Sequence, residues 1–241
     1  MSISAARISN KCNPPSSRGS HKCPTCGKGE LKPIGQQLVC NRFPVCRQAE
    51  VLTNLHVVDE TYVYFDTETT GLSAEQNRII EIGAVKVKNG KVVDEFNTLI
   101  NPKTYISMRI TQITGITNHD LMGKPTEEIV IPQFAEWLSD VDLLVAHNLY
   151  FDARFLRATF LRLGLPLFGG RGADTVAMAR TALPGLPKHK LEVLSDYFGV
   201  PLNNAHRAIH DARAGQQVFE ILKQKYPHSF EPKSFLQFAK K

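Results

Sequence analysis

The chain has 241 residues, of which 42% are hydrophobic and 22% charged, and its formal net charge is +6. This length accommodates one sizeable domain and a small additional module, and the apolar share is ordinary for a globular protein. No apolar run is long enough to cross a bilayer and residues 1–20 lack the apolar core of a signal peptide, so the sequence predicts a soluble, cytoplasmic protein without membrane contacts.

The positive charge is concentrated at one end of the chain. Residues 1–48 contain eight Lys and Arg against one acidic residue, whereas residues 49–241 contain 21 basic and 22 acidic residues. A basic segment joined to a near-neutral body indicates electrostatic binding to a polyanion, most often nucleic acid. A segment that only aids solubility is the competing interpretation.

The first sixty residues divide into a tail, a cysteine-containing segment and a linker. Residues 1–20 are rich in Ser, Asn and Pro and are predicted to be a disordered tail. Residues 21–47 hold two cysteine couples separated by a potential hairpin: Cys23, Cys26, Cys40 and Cys46. Thiolates at this spacing suit tetrahedral Zn²⁺, and a disulfide framework is the weaker alternative because there is no secretion signal. Residues 48–60 are predicted to link this segment to the main domain.

The cysteine-containing segment resembles a known zinc module. Its sequences Cys-Pro-Thr-Cys-Gly and Cys-Asn-Arg-Phe-Pro-Val-Cys are similar to those of the zinc ribbons at the C-terminal end of type IA topoisomerases. Those ribbons contact single-stranded DNA, so the resemblance implies one structural Zn²⁺ and a nucleic-acid-binding module. A ribbon that binds a protein partner is the alternative, which the basic charge disfavours.

The main domain is predicted to open with a strand that carries two acidic residues. Residues 61–72 are rich in aromatic and β-branched side chains and reach a turn at Gly71. Because side chains alternate along a strand, Asp66 and Glu68 lie on one face, roughly 7 Å apart. Two carboxylates at that distance raise each other's pKa or need a cation, and Mg²⁺ or Mn²⁺ takes oxygen ligands. A strand whose polar face simply meets water is the alternative.

The following elements are predicted from periodicity. Two alternating runs, 79–88 and 91–100, are joined by Asn89-Gly90, the strongest short signal for a hairpin, so we expect a three-stranded antiparallel meander. Residues 126–138 have apolar side chains at helical spacing, although Pro132 leaves the start of that helix open. Residues 142–146 are predicted to form a short buried strand.

Two further acidic residues lie on the apolar faces of predicted helices. Asp152 begins one of these helices and Asp211 begins the other. An uncompensated charge that faces a core is costly, so each carboxylate needs a partner. The alternatives are an N-terminal acid stabilised by the helix dipole at Asp152, and an ion pair between Asp211 and Arg207 four residues earlier.

Together, four motifs resemble the DnaQ-like branch of the DEDD exonuclease superfamily, which includes the proofreading subunit of bacterial DNA polymerase III, RNase T and oligoribonuclease. They are Asp-Thr-Glu-Thr-Thr-Gly (66–71), Ile-Thr-Gly-Ile-Thr (113–117), His-Asn-x-x-Phe-Asp (147–152) and His-Arg-Ala-x-x-Asp-Ala (206–212). The family divides on whether a Tyr or a His precedes the last Asp, and His206, five residues before Asp211, matches the histidine branch. His147 has the same offset from Asp152 and is assigned a structural role.

The resemblance implies a ribonuclease H-like fold over residues 61–225, a mixed five-stranded sheet flanked by helices, with a C-terminal tail at 226–241. It implies that His206 is the general base and that four carboxylates hold two Mg²⁺ or Mn²⁺ ions: Asp66, Glu68, Asp152 and Asp211. The residues expected to bind the terminal nucleotide are Thr69, Thr70, Gly71, Leu72 and Asn148. Lys188-His189-Lys190 is interpreted as a solvated loop before a helix.

The implied function is 3′→5′ exonuclease activity that releases nucleoside 5′-monophosphates from DNA, preferably single-stranded, either alone in repair or with a DNA polymerase. Hydrolysis of RNA from the 3′ end, as in RNase T, is the nearest alternative, because the motifs do not distinguish deoxyribose from ribose. A catalytically inactive module that tethers a polymerase or repair complex is the third. It is disfavoured because an idle cluster of inward carboxylates is destabilising.

Overall fold

A computed structural model describes residues 21, 22, 28, 30–34, 37–40, 49–51, 61–203 and 205–240. The chain divides into two compact units, Met1–His56 and Val57–Lys241. None of the described helices is long and apolar enough to cross a membrane.

The first unit contains a four-stranded antiparallel sheet. Its strands, in spatial order, are β1 (His21–Lys22), β2 (Glu30–Ile34), β3 (Gln37–Cys40) and β4 (Ala49–Val51). Strands β2 and β3 form the hairpin expected between the cysteine couples. The predicted linker at 48–60 includes β4, which pairs with β3 and is therefore part of the sheet. The predicted tail, residues 52–60, Cys23, Cys26, Cys46 and the side chain of Cys40 lie outside the described residues.

The second unit is built on a mixed sheet. Its strands are β5 (Thr61–Thr69), β6 (Ile79–Lys88), β7 (Lys91–Leu99), β8 (Leu143–Ala146), β9 (Arg171–Asp174) and β10 (Lys233–Ser234), in the spatial order β10-β9-β8-β5-β6-β7. The pairs β5–β6 and β6–β7 are antiparallel, which confirms the predicted meander, whereas β5–β8 and β8–β9 are parallel. The expected count of five strands is wrong by one, because β10 adds two residues to the edge beside β9.

The turn between β6 and β7 shows why its sequence predicts a hairpin. Asn89 and Gly90 both have positive φ, 52° and 73°. Turns of this kind match the right-handed twist of the flanking strands, and Asn and Gly reach positive φ at the least steric cost. The second run ends at Leu99, one residue earlier than predicted.

Eight α-helices are described in this unit. They are α1 (Met108–Thr114), α2 (Asn118–Leu121), α3 (Glu127–Trp137), α4 (Leu149–Arg162), α5 (Thr175–Ala182), α6 (Leu191–Phe198), α7 (Ala208–Lys225) and α8 (Phe235–Phe238). Helix α3 matches the prediction for 126–138 to within one residue at each end, and Pro132 lies inside it. The missing N–H of Pro132 falls opposite the carbonyl of Glu128, an exposed residue, so water can satisfy that carbonyl.

The sheet has an apolar core on each face. On one face Phe65 of β5 packs with Phe134 of α3 and Phe155 of α4. On the other face Tyr64 packs with buried residues of α6 and α7, including Phe219. The prediction of a mixed sheet flanked by helices is therefore confirmed.

The C-terminal residues belong to this core. Where the sequence predicts a tail at 226–241, the structure has a 3₁₀ turn at Pro227–Ser229 followed by β10 and α8. Phe235 and Phe238 are buried, and their rings meet Phe168 and Tyr150 edge-on. Removing two phenylalanines from water stabilises the folded chain, so this segment does not behave as a tail.

Candidate active site

The first two acidic residues of the site lie on β5. Asp66 and Glu68 are half-buried, whereas the residues that alternate with them, Phe65, Thr67 and Thr69, are buried on the other face. The two carboxylates therefore share a face, as the strand period predicts. A β-bulge between Glu68 and Thr69 ends the regular pairing with β6 directly after the second carboxylate.

Asp152 is brought to β5 by the parallel pairing of β5 with β8. Helix α4 begins at Leu149, three residues earlier than predicted, after Asn148 in the left-handed region at φ 67°. Asp152 is buried in the first turn, and its Oδ1 accepts hydrogen bonds from the backbone N–H of Thr67 at 3.1 Å and from the Thr67 hydroxyl at 2.7 Å. The buried carboxylate thus contacts the strand that carries Asp66 and Glu68.

The fourth carboxylate arrives with α7. One carboxylate oxygen each of Glu68 and Asp211 and one ring nitrogen of His206 lie within 4.8 Å of one another. The backbone N–H of His206 donates to Asp211 Oδ2 at 3.0 Å. Asp211 Oδ1 is buried and has no hydrogen-bond partner among the described residues. A buried oxygen without a donor is costly, and a bound cation would satisfy it.

The electrostatics of the cluster favour a bound cation. Burial, together with the negative charge of Asp211, raises the pKa of Glu68 to about 8. Burial raises the pKa of Asp152 to about 7, and burial followed by the charge of Asp152 raises the pKa of Asp66 well above its ordinary value. Each pKa is raised because ionising a carboxylate is unfavourable in a buried site that already carries negative charge. Divalent ions with oxygen ligands relieve that cost, so the donor set fits Mg²⁺ or Mn²⁺.

The predicted alternative for Asp211, an ion pair with Arg207, does not form. The Arg207 guanidinium instead donates to the carboxylate of Glu81 on β6, with its shortest contact from Nη2 at 2.9 Å, and the backbone N–H of Ala208 donates to the same carboxylate at 3.0 Å. Glu81 is fully buried. Sequence reasoning misses Glu81 because it sits in an apolar strand 126 residues from its partner.

Gly83 permits the close approach of β6 to the start of α7. A Cβ atom at this position would lie 2.1 Å from the backbone nitrogen of Ile209 and 2.2 Å from the carbonyl carbon of Ala208. Such contacts are impossible without moving the helix, so only glycine fits. Helix α7, with Asp211, is therefore held against the sheet by backbone contact and by Glu81.

His147 and His206 differ in their surroundings. His147 is half-buried, with its Nδ1 3.0 Å from the hydroxyl of Thr175, and burial lowers its pKa to about 4. His206 is exposed, in a loop with φ 67°, beside Asp211. His147 is therefore a neutral imidazole beside Thr175, and its structural role stays a prediction.

A cavity of about 750 Å³ opens over the carboxylates. Asp66, Asp211, His147 and Asn148 line it, and so does a rim of basic residues: Arg180, Lys188 and Lys190. Lys188 and Lys190 are exposed in a loop before α6, as predicted. Their position beside the carboxylates is not apparent from the sequence, because the 22 residues between Lys188 and Asp211 give no indication of proximity.

The turn after β5 is rigid and presents Leu72. The Thr69 hydroxyl donates to the carbonyl of Gly71 at 2.7 Å, and the Thr70 hydroxyl donates to Asn77 Oδ1 at 3.0 Å. The backbone N–H of Thr70 donates to the carbonyl of Arg78 at 2.9 Å, and the backbone N–H of Arg78 donates to the Thr70 hydroxyl at 3.0 Å. Leu72 is 81% exposed. A large apolar side chain on a fixed turn is available to a ligand.

The mixed sheet and the cluster of carboxylates form a site whose donors fit divalent metal ions. The model of the Exonuclease family, RNase T, matches residues 63–219. The chain belongs to this exonuclease family.

Among curated proteins, the chain is 42% identical over 163 residues to the PolC-type DNA polymerase III of Clostridium perfringens, which is 68% of this chain and 11% of the polymerase. It is 39% identical over 176 residues to that of Bacillus cereus, which is 73% of this chain and 12% of the polymerase. The chain thus spans about a tenth of the length of these relatives.

Two solved structures have a similar fold. Exonuclease X in complex with 5′ overhanging duplex DNA superposes with a TM-score of 0.57 and 27% identity, over 74% of this chain and 99% of exonuclease X. The zinc-bound complex of E. coli exonuclease I with single-stranded DNA superposes with a TM-score of 0.65 and 22% identity, over 71% of this chain and 42% of that one.

Proposed function

We propose that this protein is a 3′→5′ exonuclease that releases nucleoside 5′-monophosphates from DNA, preferably single-stranded. The observation that carries the proposal is a cluster of four carboxylates with raised pKa values, Asp66, Glu68, Asp152 and Asp211. Asp66 and Asp211 line the cavity, and Asp211 Oδ1 has no donor among the described residues. DNA is favoured over RNA because the relatives are DNA polymerases and both structural neighbours are complexes with DNA.

In this mechanism the four carboxylates would hold two Mg²⁺ or Mn²⁺ ions. When bound, such ions stabilise the charge on the attacking and leaving oxygens of an in-line displacement at phosphorus. His206 accepts the proton of the attacking water, since a ring nitrogen of imidazole can act as a general base and this side chain is exposed beside Asp211. The Glu81–Arg207 pair holds the loop that carries His206.

Substrate binding involves both sides of the cavity. The backbone of 69–71 receives the terminal nucleotide, Leu72 packs against its base, and Asn148, which is exposed on the cavity wall, contacts the strand. The basic rim binds phosphates of the adjoining nucleotides, because Lys and Arg neutralise the backbone charge of nucleic acid. These roles explain why exposed basic residues stand next to a cluster of acids.

The N-terminal unit is proposed to hold one structural Zn²⁺ through Cys23, Cys26, Cys40 and Cys46, and to bind single-stranded DNA. The spacing of the couples and the hairpin between them support this role. Association with a DNA polymerase is a further part of the proposal, supported by the likeness to PolC-type polymerases.

The test is degradation of 5′-labelled single-stranded DNA, duplex DNA and RNA of one sequence, with Mg²⁺ or Mn²⁺ and with chelator, by the natural protein and by Asp66→Ala. We expect a ladder that shortens from the 3′ end of single-stranded DNA and disappears in the variant and with chelator. If RNA is degraded faster than DNA, RNA is the substrate instead. No cleavage by folded, zinc-loaded protein would reject the enzymatic proposal in favour of a binding module.

A further inference from the structure

Large apolar side chains are exposed together on one segment of the catalytic unit. Among the described residues, four such side chains are at least 70% exposed: Leu72 81%, Tyr105 90%, Met108 78% and Met122 70%. The proposed function accounts for Leu72. The other three lie within 18 residues of one another, and clustered apolar exposure of this kind marks an interaction site, whereas scattered apolar residues are normal.

Tyr105 and Met122 line a common cavity of about 480 Å³, which also includes Lys103 and His119. The surface around it is rigid. The side-chain amide of Asn118 bridges the backbone of Ile106, accepting from its N–H at 2.8 Å and donating to its carbonyl at 3.1 Å. Beneath it, four buried residues form a small apolar cluster: Ile80, Ile106, Ile116 and Leu121. The exposed side chains therefore project from a segment that is fixed by hydrogen bonds and by a buried apolar cluster.

The charge around this surface suits a polyanion. Residues 101–126 contain Lys103, Arg109 and Lys124 against a single acidic residue, Asp120, and of the three cations Lys103 is paired with Glu128 at 2.8 Å. Arg109 and Lys124 make no ion pair with any described residue, and Asp120 is engaged by the N–H and hydroxyl of Thr117. Exposed aromatic and thioether groups flanked by free cations are typical of surfaces that bind single-stranded nucleic acid.

The surface adjoins the candidate active site. Ile80, one of the buried residues beneath this surface, directly precedes Glu81 on β6. Glu81 binds Arg207, which directly follows His206 in the chain. Helix α2, whose Leu121 packs in the same cluster as Ile80, is therefore connected through β6 to the loop of the proposed general base.

We infer that Tyr105, Met108 and Met122 form a stacking platform for unpaired bases of the substrate strand upstream of the scissile bond, with Arg109 and Lys124 at its phosphates. The inference rests on the proposed function for the identity of the strand. Any nucleobase can stack on a tyrosine ring, so the platform adds affinity without sequence preference.

The test separates binding from catalysis. In the Asp66→Ala background, the Kd of a fluorescein-labelled single-stranded 12-mer is measured by anisotropy with and without Tyr105→Ala. We expect Kd to rise about tenfold, the effect typical of losing one stacked base. In the active enzyme, Tyr105→Ala raises KM for the 12-mer by a similar factor. It leaves hydrolysis of thymidine 5′-(4-nitrophenyl phosphate) unchanged, because this ester lacks the upstream nucleotides.

Two control variants accompany these measurements. Tyr105→Phe keeps the ring and the affinity. Tyr197→Ala removes a tyrosine that is 54% exposed on α6, outside the platform, and leaves Kd unchanged. The thermal transition of each variant verifies folding.

An unchanged Kd for the 12-mer in Tyr105→Ala, or an equal loss in Tyr197→Ala, overturns the inference. Unchanged Kd together with Tyr105-dependent capture of a polymerase subunit identifies a protein as the occupant instead. If the natural protein cleaves no DNA but Tyr105 still contributes to 12-mer affinity, the platform stands and the proposed exonuclease function fails.

Discussion

At the scale of single residues, the raised pKa values of the carboxylates link stability to pH. The pKa of Glu68 is about 8 in the folded protein, against an ordinary 4.5, so the folded state retains a proton that the unfolded state releases. The stability contributed by this proton is complete below the unfolded pKa and is lost as the pH rises through 8. Metal binding must displace the same proton.

We therefore expect the metal-free protein to become less stable between pH 6 and pH 8.5, by roughly 1 to 3 kcal/mol, because one pKa unit corresponds to about 1.4 kcal/mol. Mg²⁺ should stabilise the protein more at pH 8.5 than at pH 6. The measurement is urea unfolding at several pH values with and without Mg²⁺. Glu68→Gln, which cannot ionise, should show a flatter pH dependence, and an unchanged slope in that variant would contradict the assignment.

At the scale of elements, the junction of β6 with α7 determines where Asp211 and His206 stand. Glu81→Gln retains an acceptor for Ala208 but removes the charge that holds Arg207. We expect a loss of about 1 to 3 kcal/mol in unfolding free energy, because the charge-assisted hydrogen bonds to a buried carboxylate become weaker, neutral ones. We also expect a fall in kcat with little change in KM, because His206 is displaced while the substrate contacts remain.

Glu95→Gln is the matched control for this prediction. Glu95 on β7 pairs with Arg213 on the same helix, but this pair is exposed, so its loss should cost well under about 1 kcal/mol and leave kcat unchanged. Urea unfolding and steady-state hydrolysis of the 4-nitrophenyl ester measure both quantities. Equal behaviour of the two variants would show that Glu81 has no special positioning role.

The elements also show what the sequence can and cannot predict. The meander and the shared face of Asp66 and Glu68 follow from strand alternation, a local property. The partner of Arg207 does not, because local spacing favours Asp211 whereas Glu81 is reached only through the packing of β6 against α7. Strand β10 has only two residues and no alternation to detect.

The predicted start of α4 is wrong by three residues for a similar reason. The start of α4 depends on the left-handed conformation of Asn148, whose backbone N–H is held by Asp174 at 3.0 Å. Asp174 is 26 residues away, at the end of β9, so the apolar periodicity around Asn148 gives no indication of the contact. The resemblance to a known family predicts which residues are catalytic, but the cavity rim and the proposed platform at Tyr105 depend on tertiary structure.

At the scale of the whole molecule, the zinc proposal and the catalytic proposal are separable. We expect about one Zn²⁺ per chain by elemental analysis, lost in Cys23→Ser/Cys26→Ser, because two thiolates cannot complete a tetrahedral site. The double variant should bind a single-stranded 12-mer more weakly and still hydrolyse the 4-nitrophenyl ester. Cys12→Ser, which changes a cysteine outside the couples, serves as the control. Retention of zinc by the double variant would refute this ligand set.

The distribution of the acidic residues along the chain affects the order in which activity arises during synthesis. Asp66 and Glu68 leave the ribosome early, whereas Asp211 follows only after some 140 further residues and is positioned by a glycine contact with β6. A nascent chain that has completed its antiparallel hairpins therefore still lacks one wall of the cavity. Under the proposed function, nuclease activity is therefore expected only late in translation, when α7 docks on a sheet that is already formed.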